Sequence, residues 1–328
     1  MKRQGDLYDS IWQWDNLRRA FWRAAKAARC GGAARKFESD LDANLRALQE
    51  DLKMERVAGS GFTRFVIHDP KMRVITAPAF HDRVLHHAIM NVCEPHFERW
   101  LVHDSYACRK GKGRLAALKR ATCHAARHGW FLKLDIRKYF ESIQLDRLLA
   151  ILERKIKDRR LLDLLTRLLR AGAATDERGL PIGSLLSQHM ANFYLGPLDR
   201  LCLEHLRVEG YVRYMDDFVL WADDQRHLRE CWRQVEVHVR DTLGLELKTG
   251  GHLNQTKHGM DFCGFRIFPG WRTLNRRSRR RMASKIRFIE SLIDEREQQL
   301  RAQAVLAFAK EGSSWHARRR ALARASTA

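Results

Sequence analysis

Two adjacent carboxylates, Asp216 and Asp217, stand between β-forming residues in the run Arg213-Tyr214-Met215-Asp216-Asp217-Phe218-Val219-Leu220-Trp221. Side by side they repel each other, so the pair is costly unless a cation or solvent compensates. A third acid, Asp135, ends the apolar run Phe131-Leu132-Lys133-Leu134-Asp135-Ile136. Three carboxylates at the ends of neighbouring strands can clamp two cations ~3.5–4 Å apart. That arrangement stabilises both the attacking and the leaving oxygen of a phosphoryl transfer. Hard oxygen donors with open positions suit Mg²⁺, which keeps water and takes up substrate phosphate. As an isolated dipeptide, Asp216-Asp217 reads equally well as a polar hairpin turn, because Asp is a common turn residue. The strand formers on both sides, and Asp135 to meet the pair, set it apart from Asp223-Asp224. That second pair follows the strand and reads as a loop or helix cap.

The composition names the class of partner. Lys and Arg number 61 against 39 Asp and Glu, a net charge of +22 that calls for a polyanion. Residues 271–328 hold 15 Lys+Arg and 5 Asp+Glu, a net of +10. There an apolar rhythm at Met282, Ile286, Ile289, Leu292 and Ile293 predicts folded helix with one basic face. No run of ~18 apolar residues predicts a membrane span, and the N-terminus reads as amphipathic helix, not as a secretory signal. The seven cysteines are scattered without a CxxC pair, which suits a reducing cytoplasm. The fifteen histidines form no HxH or HExxH pair, and none is assigned as a ligand.

The elements that must position these acids read as mixed α and β. Residues 1–57 are mostly helical. Residues 62–78 alternate as a hairpin with its turn at Asp69-Pro70-Lys71. Residues 81–100 predict a helix, 130–136 a strand, and 145–169 an amphipathic, leucine-rich helical region. Residues 211–222 predict strand, tight turn and strand; 262–268 predict one further strand. Helices and strands alternate with no repeat and no clear domain break.

Tyr214-Met215-Asp216-Asp217 resembles the YxDD box of reverse transcriptases, and Asp135-Ile136-x-x-Tyr139-Phe140 resembles their first catalytic-aspartate box, 81 residues upstream. Other boxes follow in the same order. They are Pro70-Lys71-Met72-Arg73-Val74-Ile75, Ser105-Tyr106-Ala107-Cys108-Arg109 and Gly179-Leu180-Pro181-Ile182-Gly183-Ser184-Leu185-Leu186-Ser187-Gln188. Leu243-Gly244-Leu245-Glu246-Leu247-Lys248 and Phe262-Cys263-Gly264-Phe265 complete the set. The resemblance covers about residues 62–268. It implies an α+β right-hand polymerase fold with fingers, a palm of antiparallel sheet plus helices, and a short helical thumb. The corresponding segments are an N-terminal helical extension at 1–57, fingers and palm at 58–268, and a basic thumb at 269–328.

The same resemblance implies roles. Asp135, Asp216 and Asp217, with the Ile136 carbonyl, would hold two Mg²⁺ ions, for which Mn²⁺ is a possible substitute. Lys71 and Arg73 would meet the triphosphate, Arg as a bidentate fork; the alternative is a solvated hairpin tip. Phe140 would be the aromatic gate that clashes with a 2′-hydroxyl, or a plain core residue; Tyr139 reads as the core member of the two. Tyr214 would line the nucleotide site. Phe262, Cys263, Gly264 and Phe265 resemble the primer grip, with Gly264 allowing close backbone approach and Cys263 as a small packing residue where Leu is usual. Lys248 faces nucleotide or template, or is simply solvated. His86 stands where Gln is common.

Most reverse transcriptases carry QGxxxSP around Gly183; here Ile182 replaces the Gln and Gln188 the Pro. This pattern resembles the reverse transcriptases of diversity-generating retroelements, which are bacterial or phage-encoded. Such enzymes copy a template-repeat RNA into cDNA from dNTPs and a primer duplex, and misincorporate opposite template adenines. They work with a small basic accessory protein that assembles as a pentamer. Ile182 either removes a polar check on pairing geometry or packs as an ordinary apolar residue. Trp315, His316 and Arg318–Arg320 would dock on nucleic acid or on that partner. Two other readings compete. One is a group II intron-like or retron reverse transcriptase, although only about 60 residues follow Phe268, too few for a maturation domain and an endonuclease. The other is an RNA-binding scaffold that has lost catalysis, which the three retained aspartates disfavour.

Overall fold

In the structure, a computed structural model, residues 3–312 are described apart from 29, 30, 58, 60, 69–71, 174, 176 and 293. Its strands are β1 (Phe62–Ile67), β2 (Arg73–Pro78), β3 (Trp130–Asp135), β4 (Gly210–Tyr214) and β5 (Asp217–Ala222). They continue as β6 (His252–Gln255), β7 (Met260–Phe262), β8 (Phe265–Phe268) and β9 (Trp271–Leu274). The sequence shows no break, yet the chain packs as two units whose segments interleave. One comprises Met1–Val102, Ile136–Arg200 and Glu236–Leu247; the other comprises His103–Asp135, Leu201–Val235 and Lys248–Ala328.

The first unit is built on helices. Those at Trp14–Ala28, Leu41–Lys53 and Phe80–Trp100 turn apolar faces inward and bury Leu17, Phe21, Leu45, Leu48, Val84, Leu85, Ala88 and Ile89. The buried Asn16 amide donates to the Ile11 and Ala88 carbonyls and so ties two helices together. β1 and β2 form the predicted antiparallel hairpin, Phe62 opposite Pro78 and Ile67 opposite Arg73. Its expected turn residues, including Lys71, lie outside the described residues. The leucine-rich region at 145–169 is two helices, Leu145–Glu153 and Arg159–Gly172. Asp158 makes the break. One carboxylate oxygen accepts the Leu161 amide as an N-cap, while the other accepts the Leu7 and Tyr8 amides.

In the second unit, a four-stranded sheet runs in the order β4-β5-β3-β6 with every pairing antiparallel. The register sets Asp135 opposite Asp217, Lys133 opposite Val219 and Phe131 opposite Trp221. Tyr214 is opposite Asp217 and Val212 opposite Val219. With side chains alternating along each strand, these residues share one face of the sheet. At the far end of that face Phe131, Val212, Val219 and Trp221 join a core with Ala117, Leu118, Ala121 and Ala125 of the helix Arg114–Arg127. The outer edge of β4 is covered by residues 104–106: Arg213 N donates to Asp104 O, and Tyr106 N to Arg213 O. A second sheet, β7-β8-β9, corrects the expectation of one strand at 262–268. Cys263 and Gly264, at φ +47° and +88°, turn the chain back on itself there.

The basic segment is helical as expected, at Arg276–Glu290 and Glu295–Lys310. Asn275 caps the first of these through the Ser278 amide, and Asp294 caps the second through Arg296 and Glu297. Ser278 and Met282 face inward, while Arg276, Arg280 and Arg287 are exposed on one stripe. Among the described residues no helix is long and apolar enough to cross a membrane.

Candidate active site

The acids arrive by different routes. Asp135 is the last residue of β3, so its position follows from strand length. Its backbone carbonyl accepts Lys248 N at 2.8 Å. Asp217 is the first residue of β5, directly across from Asp135, and cross-strand pairing of this kind sets Cβ atoms ~5 Å apart. Asp216 lies in the two-residue turn between Tyr214 and Asp217. Its partner in the turn, Met215, holds φ +59°, a conformation that usually falls to glycine and costs ~1–2 kcal/mol elsewhere. Arg213 supports that turn. Its side chain is fully buried, and Nη1 donates to the Met215 carbonyl at 3.0 Å.

Two lysines answer the acids. Lys133 lies two residues before Asp135, on the same face of β3, and its Nζ is 3.2 Å from Asp217 Oδ2. Lys248 Nζ stands 4.0 Å from Asp135 Oδ2. The compensation is incomplete: Asp217 Oδ1 is buried and accepts no hydrogen bond. Burial, reinforced by Asp135 and Asp216 and only partly offset by Lys133, pushes the Asp217 carboxyl up to about 7. Cys263 lies close enough that Asp217 adds to the effect of burial in pushing its thiol up; it is a packing residue and not a ready thiolate. Phe262 and Phe265, on either side of it, are buried in the same core as Trp221.

Divalent cations fit this donor set. Asp135, Asp216 and Asp217 lie at one end of the sheet, one oxygen is orphaned and buried, and the nearby lysines are monovalent and partly exposed. Hard carboxylate oxygens of this kind suit Mg²⁺ or Mn²⁺.

The remaining predicted site residues belong to the first unit. Arg73 opens β2 and is exposed. Ile182 and Gly183 lie against the same strand: Thr76 N donates to Ile182 O at 2.7 Å. Gly183 has φ +118°, and a Cβ there would sit 2.7 Å from Ile75 Cγ2, so only glycine lets the backbones approach. Gln188 is in the helix Leu185–Tyr194, capped by Ser184. Phe140 is half-buried beside Tyr139, whose hydroxyl donates to the Ala191 carbonyl from the core. Ile136 is buried and bridges to Leu247.

Two contributors escaped sequence reading. Lys133 carried a signal in its i−2 spacing from Asp135, which puts it on the acid's face of a strand. Arg213 carried none, because a basic residue in a strand reads as solvent-facing until the covering segment at 104–106 is known.

Residues 67–267 match the family described as Reverse transcriptase (RNA-dependent DNA polymerase). An uncharacterized 91 kDa protein in a cob intron of Schizosaccharomyces pombe is 32% identical over 143 residues, 42% of this chain and 18% of that protein. The group II intron-encoded protein LtrA of Lactococcus lactis is 29% identical over 140 residues, 41% of this chain and 23% of LtrA. The chain thus spans less than a quarter of the length of each. A structure of telomerase from Candida albicans with a fragment of telomeric RNA aligns at TM-score 0.51 and 12% identity. It covers 79% of this chain and 56% of the telomerase chain, and shows that the two share the right-hand polymerase fold. The family match extends over more than half of the residues and encloses all three aspartates, and the chain therefore belongs to the reverse transcriptase family.

Proposed function

We propose that the protein is an RNA-directed DNA polymerase that extends a primer on an RNA template with dNTPs. The observation that carries the reading is the Asp135–Asp217 pair, crowded by Asp216 and left with a buried, unbonded oxygen. Such a site is held at a cost that a polyvalent cation removes. Asp135, Asp216 and Asp217, with the Ile136 carbonyl, would hold two Mg²⁺ ions, or Mn²⁺ in their place. What bound ions supply is easier attack by the primer 3′-hydroxyl on the α-phosphate and neutralisation of the leaving pyrophosphate. Lys133 balances Asp217 in the resting site. Lys71 and Arg73 neutralise the triphosphate, Phe140 excludes a 2′-hydroxyl, and the 262–265 turn supports the primer strand. Residues 1–57 serve as an N-terminal extension, 58–268 as fingers and palm, and 269–328 as a thumb whose exposed arginines grip the duplex backbone.

The subtype rests on Ile182 and Gln188. With these residues the chain would copy a template-repeat RNA, misincorporate opposite adenine, and work with a small basic pentameric accessory protein. Similarity to LtrA supports the second reading, a group II intron-like enzyme without adenine mutagenesis. Primer extension with wild type and Asp216→Ala tests the activity; no extension by wild type, supplied with RNA and partner, overturns it. Sequencing the cDNA separates the subtypes. Errors concentrated at template adenines support the first, and an even error spectrum supports the second.

A further inference from the structure

The catalytic sheet has a second polar end. β3, β4 and β5 carry Asp135, Tyr214 and Asp217 at one end. At the other, His128 stands two residues before β3, Glu209 immediately before β4 and Asp223 immediately after β5. The register that pairs Trp130 with Ala222 and Gly210 with Trp221 brings these three together. His128 Nδ1 is 3.1 Å from Glu209 Oε2 and 3.7 Å from Asp223 Oδ2. One ligand atom from each residue lies within 4.8 Å of the other two.

His128 and Asp223 are held from behind. The His128 ring stacks on His124 at 6.0 Å, and His124 stacks on Trp221 at 5.2 Å. Gly210 makes room for His124, since a Cβ there would meet the ring at 2.6 Å. The His128 carbonyl accepts Thr256 Oγ1 at 2.7 Å. Asp223 Oδ1 accepts Gly129 N at 2.8 Å, which leaves Oδ2 turned to the histidine. Supporting contacts of this kind orient metal ligands.

We infer that His128, Glu209 and Asp223 form a site for a first-row divalent cation of the zinc type. Bonds of ~2.0–2.2 Å to a tetrahedral ion put neighbouring ligand atoms about 3.3 Å apart, and the observed separations bracket that figure. His128 Nδ1 is buried and makes no hydrogen bond, although Glu209 Oε2 stands 3.1 Å away, so the nitrogen is left for an ion between them. An imidazole with two carboxylates suits zinc and its neighbours, whereas Mg²⁺ prefers oxygen alone. Glu209 and Asp223 side chains are 46% and 67% exposed, which leaves coordination positions open to water. The site is roughly 20 Å along the strands from Asp135. A cation there staples the ends of three strands and secures the register that places the aspartates; it takes no part in catalysis. No short motif announces it, because the donors are 81 and 14 residues apart in sequence.

The test separates this site from the aspartates by using the full-length Asp216→Asn/Asp217→Asn chain, stripped with chelator. Zn²⁺ is titrated by calorimetry, and Co²⁺ by its visible absorption, with Mg²⁺ in excess. The expected result is one ion per chain, unaffected by Mg²⁺. Affinity falls at least ~100-fold in His128→Gln and at least ~10-fold in Glu209→Gln, and Zn²⁺ raises Tm only when the cluster is intact. The exposed Glu209 variant keeps the readout meaningful if the histidine variant folds poorly. Absence of stoichiometric binding, or equal affinity in both variants, overturns the proposal and leaves the cluster a simple ion pair.

Discussion

Replacing Asp217 by Asn isolates the cost of holding the three acids together. A carboxyl moved from 3.8 to about 7 by burial differs by roughly 4 kcal/mol between its charged and neutral forms, at ~1.4 kcal/mol per pH unit. The side chain is 23% exposed, and water reaching Oδ2 trims this to about 2–4 kcal/mol. The fold favours the neutral acid, so its contribution is intact below pH 3.8 and is lost as pH rises through about 7. The substituted amide cannot ionise and escapes that loss. Thermal unfolding in chelator should therefore find Asp217→Asn more stable than wild type at pH 8, by several degrees in Tm. At pH 5 the margin should shrink to less than half, and Mg²⁺ at pH 8 should narrow it by stabilising wild type alone. The same variant should extend no primer. An equal margin at both pH values, or a wild type more stable than the variant at pH 8, would refute the account of Asp217 as a buried, frustrated carboxylate.

Arg213→Met should cost about 2–3 kcal/mol in thermal or denaturant unfolding, since it strips the Met215 carbonyl of a charged donor in a buried place. Arg213→Lys should recover little of it, because a point charge does not replace a guanidinium fork. Gly183→Ala should raise the KM for dNTP more than it lowers Tm, as β2 shifts to clear Ile75; unchanged kinetics would count against a nucleotide role for this segment. Ile182→Gln should lower misincorporation at template adenine, read from sequenced cDNA, and an unchanged error spectrum would reject that role. Replacing Arg276, Arg280 and Arg287 together with Ala should weaken duplex binding and reduce the log–log salt slope by about 2–3; an unchanged slope would place the grip elsewhere.

The acids were legible because they interrupt strands: Asp135 ends an apolar run, and Asp216-Asp217 has β-forming residues on both sides. The 62–78 hairpin was legible from its alternation and its turn residues, and the helix at 81–100 from the helical spacing of its apolar residues. The helical region at 145–169 was legible, but its break was not, because a polar residue there serves two masters. Asp158 ends one helical stretch by capping the next, and its second oxygen goes to Leu7 and Tyr8, contacts of 151 and 150 residues' separation that no local window contains. At 262–268 the turn falls on Cys263, a residue with little turn preference, so the segment read as a single strand. The interleaving of the two units was hidden too. It depends on which segments pair, and a strand's own sequence does not name its partner.

The sheet itself explains why so basic a chain keeps its acids where it does. Antiparallel register puts Asp217 opposite Asp135 as inevitably as it puts Trp221 opposite Phe131. Packing at the apolar end therefore fixes separation at the acidic end. The helix Arg114–Arg127 presents alanines to that packing, and their small volume lets it lie close over Val212, Val219 and Trp221. Enlarging Ala121 would push against strands whose far ends carry Asp135 and Asp217, so the damage would be to geometry and not to charge. Lys133, between the two ends, is the one residue on this face of β3 that answers both demands. Its stem lies along the sheet beside Val219, and its ammonium meets Asp217. The net charge of +22 calls for a polyanion, and within that positive field strand register sets Asp135 and Asp217 against each other at one end of the sheet.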